Sequence, residues 1–411
     1  MNEQKKQSVP MRVRLMPSYY PRFACTGGDC RFSCCDGGWK IAFNKKDYLK
    51  IKRAAKSPEL EQLCETTCRC IRDTNSNSYA EFRLPDGRCG FLNGQNLCSL
   101  QIECGHDTLP KVCRVYPRTE RYTPYGKECS MTPSCDAVLD ILWDMPDSID
   151  FIEEELPHAP RITALFAPNE LLFPEVRAQC VDILQARQFS LDHRMLLLGM
   201  VLNMLKEQLL AAEQQPKEWA EQPLDLTVWQ QKVGLLLEGA ASGHMFDTLS
   251  GNTQMFLSNH LLTVLVTQSH EMLDKVQTML GLKRGEKEES LRVDPECYLK
   301  TAAKVQAFLA QHAHFMENLM VNNLFYLAYP RTATAEALWQ DYVALCNLYS
   351  YYKFCITASC VEEVSKERVF WAVARCSRDL LHNAQGAAEL RTQFFAHNSD
   401  SLAHMAILIL G

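Results

Sequence analysis

Residues 23–40 read FACTGGDCRFSCCDGGWK. Cys25, Cys30, Cys34 and Cys35 crowd into this short stretch, among glycines that let the backbone wrap inward. Thiols at this density suit a metal site or a disulfide framework. Cys34 and Cys35 make poor disulfide partners for each other, because a bond between neighbours is strained. Working outward, residues 88–118 read RCGFLNGQNLCSLQIECGHDTLPKVCRVYPR. Cys89, Cys98 and Cys113 are separated there by turns, so the chain can return repeatedly to one centre. Cys135 follows in MTPSCDAVL, just before a helical pattern. Of the 19 cysteines, 13 lie at or before Cys135, which concentrates the thiol chemistry in the first third of the chain.

Compartment bears on what those thiols do. The N-terminal stretch, MNEQKKQSVPMRVRLMPSYY, has no apolar core of the kind a secretory signal needs. The reading is therefore a cytoplasmic protein, and in a reducing cytosol clustered cysteines more often bind metal than form disulfides. The stretch from Thr248 to His270 is free of acidic and basic side chains apart from His260 and His270, but polar residues interrupt it, so it reads as a buried helix and not a membrane span. A net charge of −6 gives no general attraction to nucleic acid. The charge is uneven: residues 1–150 carry 22 basic and 19 acidic side chains, whereas the remainder carries 21 and 30.

Several familiar chemistries find no template. There is no C-x2-C pair for a zinc ribbon or thioredoxin motif. Cys30-x3-Cys34 opens like the C-x3-C-x2-C of radical S-adenosylmethionine enzymes, but position 37 is Gly. A G-x-G-x-x-G after a strand, a P-loop and a G-x-S-x-G are all missing.

Beyond the cysteines the texture changes at about Pro146. Pro174 to Arg187, with Val176, Cys180, Ile183 and Leu184, has helical spacing. Ser190 is placed to cap a long helix from Leu191 to about Gln214. Further helices are expected at 226–240, 255–280, 295–328, 333–352, 362–383 and 387–395. Within the first part, Asn44 reads as a helix cap, and Trp39 to Phe43 and Tyr79 to Leu84 as short strands. The fold class is mainly α: a small irregular Cys-rich metal module over 1–145, followed by an all-helical domain over 146–411 that contributes the cofactor or substrate site.

The combination C-x4-C-x3-CC-x3-W, C-x-F-L-x5-C-S-L-Q, C-R-x-Y-P-R and S-C resembles the flagellin lysine-N-methylase (FliB) family. The cysteine part alone is similar to small zinc- or iron-chelating domains. The resemblance is dense over 19–140 and thinner at FMENLMVNNLFYLAYPR (315–331) and CSRDLLHN (376–383). It implies methyl transfer from S-adenosylmethionine to the Nε of lysines on flagellin, and a [4Fe–4S] cluster, with zinc the alternative metal. The family pattern falls on Cys25, Cys30, Cys34, Cys35, Cys89, Cys98, Cys113 and Cys135, more than the four thiolates a single cluster needs. Cys64, Cys68, Cys70, Cys104 and Cys129 lie outside it. Cys104 is expected to be a small buried apolar residue, while Cys64, Cys68 and Cys70 remain open as ligands.

Methyl transfer to an amine needs a neutral lysine nitrogen, an in-line sulfonium and little water. Glu317, Asn318 and Asn322 sit in an otherwise apolar helix and must find partners. They form either a buried hydrogen-bond network or a functional wall. Arg378 and His382, one helical turn apart, read either as an interhelical pair or as a grip on a carboxylate. Under the functional reading, Glu317 and His382 are the catalytic candidates, and Asn318, Asn322 and Arg378 contact the cofactor. The competing function is a non-enzymatic metal-binding or redox-sensing module on a helical scaffold.

Overall fold

The computed structural model describes residues 7–10, 13–37, 41–71, 78–123, 125–156, 161–164, 173–214, 225–241, 295–330, 334–382, 388, 395 and 399–410, and the architecture is given for those residues. The strands are β1 (Gln7–Pro10), β2 (Val13–Pro17), β3 (Ala42–Phe43), β4 (Cys68–Cys70), β5 (Ala80–Phe82), β6 (Arg118–Thr123), β7 (Gly126–Met131), β8 (Phe151–Glu155) and β9 (Arg161–Ala164). The helices are α1 (Lys45–Ala54), α2 (Pro58–Thr67), α3 (Ser99–Cys104), α4 (Lys111–Val115), α5 (Asp136–Trp143), α6 (Phe173–Leu184) and α7 (Leu191–Glu213). They continue with α8 (Thr227–Ala241), α9 (Pro295–Leu309), α10 (Ala313–Tyr326), α11 (Ala335–Ser359), α12 (Lys366–Leu381) and α13 (Leu402–Leu410). The chain is mainly helical, as its patterning requires.

It divides into two compact units. The smaller comprises Tyr19–Thr119 and Met131–Ile141, and the larger Met1–Ser18, Glu120–Ser130 and Leu142–Gly411. The Cys-rich part is therefore interrupted by a β-strand segment that belongs to the helical part, a division finer than a single boundary near residue 145.

In the smaller unit, β3, β5 and β4 form an antiparallel sheet in that order, with Ala42 opposite Glu81 and Cys68 opposite Phe82. Helix α1 starts where Asn44 accepts a hydrogen bond from the Asp47 amide, 2.9 Å away. Ser57 does the same for α2, toward Leu60, with Pro58 at its first position. A small core of Ile51, Leu60, Phe43, Phe82, Phe91 and Leu100 packs between these elements. The Phe82 ring lies 4.7 Å from Phe43 and 5.1 Å from Phe91, centroid to centroid. Loops and short helices complete the unit and carry the family-pattern cysteines, with Cys113 inside α4 and Cys98 and Cys135 just before α3 and α5.

The larger unit has a four-stranded sheet of order β6–β7–β2–β8. In it β2 runs parallel to β7 and antiparallel to β8, with Leu15 opposite both Glu128 and Glu153. Gly126 lets β7 approach β2, since a Cβ there would strike the Val13 carbonyl oxygen. Strands β1 and β9 pair separately, Gln7 to Ala164. Strands β8 and β9 add extended structure to a region whose patterning reads as helical throughout.

The helices make the core of this unit. Ser190 caps α7 as expected, accepting from the His193 amide. By length and composition α7 could cross a membrane, but Leu196, Leu197, Leu198, Val201 and Leu205 are buried against neighbouring helices. In α10 every residue from Phe315 to Phe325 is buried, and α11 is buried along most of its length, so each is wrapped on all sides. Gly199 sets the closeness of α7 and α11, because a Cβ there would meet the Tyr342 hydroxyl. The helix read over 295–328 breaks at a 3₁₀ turn, Ala310–His312. The one read over 333–352 runs on to Ser359. The expected helix at 255–280 and most of that at 387–395 lie outside the described residues, and α13 is an element the pattern reading lacked.

Candidate functional site

All eight family-pattern cysteines fall in the smaller unit. The loop carrying Cys30, Cys34 and Cys35 is tied to the start of α5 by Arg31. Its amide and Nε donate to the Asp136 carboxylate at 2.9 and 2.8 Å, and its guanidinium also reaches Asp140. Asp136 follows Cys135 directly, so this ion pair holds the Cys135 end near the loop. From the other side the Cys89 amide donates to the Cys35 carbonyl at 2.7 Å. Cys98 starts α3, and the Ser99 amide donates to the Phe91 carbonyl.

Electrostatics couples these thiols. The Cys34 and Cys35 sulfurs are 3.9 Å apart. The hydrogen bond with Cys34 lowers Cys35 to about 7, and the same bond, with burial, raises Cys34. Burial pushes Cys89 and Cys135 up to about 12 and raises Cys30, Cys98 and Cys113. Cys113 feels Cys35, Cys89 and Cys98, whereas Cys135 feels Cys30 and Cys25. A bound cationic centre would offset this accumulated cost of thiolate charge, and the donor chemistry fits a thiolate-held metal group. Among the described residues no three Cys, His, Asp or Glu side chains converge tightly enough to hold an ion, so no coordination geometry is assigned. Cys104 is half-buried against the core, its thiol 3.4 Å from the Ala54 carbonyl. Cys64 and Cys68 are buried, and their mutual hydrogen bond is the main influence on both.

The helical candidates lie in the larger unit, on two helices. Glu317 is 1% exposed, and two arginines hold its carboxylate: Arg187 at 2.8 Å and Arg194 at 2.7 Å. Arg194 also donates to the Leu184 and Phe189 carbonyls, at 2.7 and 2.8 Å. Glu317 thus pins α10 to the connection between α6 and α7. Asn318 donates to the Leu142 and Met145 carbonyls, at 3.3 and 2.7 Å, while its buried Oδ1 accepts no hydrogen bond. Asn322 is buried on the same helix. His382 ends α12 one turn beyond Arg378; burial, then the Arg378 charge, pushes its imidazole down to about 4.

A cleft of about 740 Å³ opens elsewhere in the larger unit. Glu128, on β7 and 6% exposed, sits in it between two arginines, with Arg121 Nε at 2.7 Å and an Arg177 guanidinium nitrogen at 2.6 Å. Both arginines continue to the C-terminal end of α10. Arg121 donates to the Phe325 and Tyr326 carbonyls and Arg177 to that of Tyr329. Each guanidinium also lies over the Phe325 ring, 5.5 and 5.7 Å from its centroid. Helix-end carbonyls, two cations and a carboxylate neutralise one another here. Asp150, Glu153 and Asp182 line the cleft with exposed carboxylates, and burial raises Asp182 above its ordinary range. Sequence reasoning missed this group because its partners are separated by up to 205 residues. Only Phe325, within the quoted 315–331 block, gave a signal.

A family model matches most of the helical part of the chain. Residues 177–408 match the FliB lysine N-methylase C-terminal domain, and the chain belongs to that family. Over 156 residues the chain is 27% identical to a lysine-N-methylase of Salmonella typhimurium and 26% to one of Salmonella choleraesuis. Each match spans 38% of this chain and 38% of the relative, well under two thirds of that protein. The flagellar biosynthetic protein FliU of Salmonella muenchen is 27% identical over 141 residues, 34% of this chain and 82% of FliU. No solved structure matches the chain.

Proposed function

We propose that this chain is a cytoplasmic protein-lysine N-methyltransferase that moves the methyl group of S-adenosylmethionine to the Nε of lysines on flagellin. The observation that carries the reading is membership of residues 177–408 in a lysine N-methylase family, and the flagellar name of one relative supports the substrate. In this reading the lone pair of a neutral lysine nitrogen attacks the methyl carbon as the carbon–sulfur bond breaks. S-adenosylhomocysteine leaves, and the nitrogen loses a proton.

The eight family-pattern cysteines of the smaller unit are the pool from which ligands to a [4Fe–4S] cluster would come. Such a cluster, when bound, would supply an iron able to chelate the amino and carboxylate groups of the methyl donor. Glu317, saturated by Arg187 and Arg194, positions α10. Asn318, whose buried Oδ1 accepts no hydrogen bond, is a proposed cofactor contact on α10, and Asn322 and Arg378 are further ones. His382 is neutral at physiological pH and, pushed down to about 4, only a weak proton acceptor. The test is mass spectrometry of purified flagellin incubated with the anaerobically prepared protein and S-adenosylmethionine. Methyl-mass increments confined to lysines are the expected result. Unmodified flagellin with an iron-loaded protein overturns the reading.

A further inference from the structure

We infer that the cleft between β7, β8, α6 and the end of α10 receives the side chain of the acceptor lysine; the inference rests on the methyltransferase reading above. Shape comes first. At about 740 Å³ the cleft is of the size that binds small organic groups, with room for a lysine side chain and adjoining backbone. Its walls are apolar, from Leu15, Ile149, Phe151, Val181 and Phe325. A lysine buries four methylenes behind a charged nitrogen, and such a wall takes the stem.

Charge then chooses the ligand. The lining carries Arg121 and Arg177 against Glu128, Asp150, Glu153 and Asp182. Both arginines are engaged by Glu128 and by carbonyls at the end of α10, so the field felt by an entering group is set by the three exposed carboxylates. That field attracts an ammonium. It repels anionic groups, and the apolar walls beside it suit the four-methylene stem of a lysine. Tyr122 and Tyr125, 48% and 44% exposed, flank the turn between β6 and β7 and offer rings to a cation or to peptide backbone. Partial desolvation of the Asp182 carboxyl by the cleft wall raises its affinity for a proton, which suits a site where an ammonium must be deprotonated.

The experiment measures steady-state flagellin methylation by the iron-loaded full chain, varying flagellin and S-adenosylmethionine separately. Wild type is compared with Asp182→Asn, Glu153→Gln and their double variant. Both positions are exposed and both substitutions are isosteric, so folding is retained and is checked by circular dichroism. Two exposed charge contacts are worth on the order of a fivefold rise in KM for flagellin in the double variant. KM for S-adenosylmethionine should not move. A rise in KM for S-adenosylmethionine instead, or no change in either, overturns the inference. A second readout needs no turnover: anisotropy of a fluorescein-labelled flagellin peptide with one lysine, against its norleucine twin. The wild type should prefer the lysine peptide and the double variant should lose that preference. If flagellin is never methylated but this preference is present and lost as stated, the activity reading fails while the cleft assignment stands. If the peptides bind alike, the cleft assignment fails.

Discussion

The two units solve the same problem by opposite means. The larger buries whole helices, α10 and α11, and neutralises the charges it takes inside with paired arginines: Arg187 and Arg194 on Glu317, Arg121 and Arg177 on Glu128. The smaller has short elements, a modest aromatic core and thiols whose deprotonation burial opposes. Burial, with the charges it takes inside paired, stabilises the first. Under the proposed function, a metal group bound to sulfur would add stability to the second beyond what its small core supplies.

The largest expected effect breaks this comparison directly. Stripping metal with a chelator under reducing, anaerobic conditions should expose residues 19–119 to protease while 173–214 and 295–382 stay resistant, read by mass spectrometry of the fragments. A bound structural metal contributes on the order of 10 kcal/mol in small metal modules. Equal resistance of both units would show that the smaller one stands on its own packing. Next, Glu317→Ala leaves two arginines facing a buried void, at a cost of about 3–5 kcal/mol in urea unfolding. A cost below 1 kcal/mol would remove the ion pairs from the account of the helical core.

Smaller effects sharpen the contrast. Cys104→Ala should cost about 1 kcal/mol and leave iron content unchanged, whereas Cys98→Ala or Cys113→Ala should lower iron in metal analysis. Equal loss in all three would erase the distinction between packing and ligating thiols. Ser190→Ala at the head of α7 should cost about 1 kcal/mol, as a lost cap does. A pH-dependent effect is expected at His382. Its imidazole is held at about 4, below the ordinary 6.5, so the unfolded chain protonates first. The stability it contributes is fully present above about pH 6.5 and is lost as pH falls toward 4. His382→Gln should flatten that part of the urea-midpoint profile against pH, and an unchanged profile would place the titration elsewhere.

What the residues disclosed follows from the range of each signal. Caps at Asn44 and Ser190 are local, and both helices start where those side chains say. Apolar spacing located α6 and α7 within a few residues. Helix α11 ran past Tyr352 because Phe354, Cys355 and Ile356 continue its buried surface, which a reading that stops at a polar Lys353 undercounts. The cysteine spacing gathered eight thiols into one unit, but spacing carries no information on which sulfurs face one another. The acidic cleft was illegible for a different reason: Arg121, Glu128, Arg177 and Phe325 acquire their relation only through the fold. The polar residues of α10 were visible as anomalies, yet only the structure assigns Glu317 its two arginines.

The clamp on Glu128 also says where the chain can be cut. The family match begins at Arg177, which would suggest a fragment of residues 177–408 as a convenient piece to express. Such a fragment would keep Arg177 and the carbonyl end of α10 but discard Arg121 and Glu128, and with them β2 and β8. Arg177 would be left without its carboxylate, and the last carbonyls of α10 without two of their donors. The stretch held in common with relatives is therefore not a unit of folding. A fragment that behaves as the larger unit does would need residues 13–18, 120–130 and 142–156 supplied as well, either joined by a linker in place of the smaller unit or added as separate peptides.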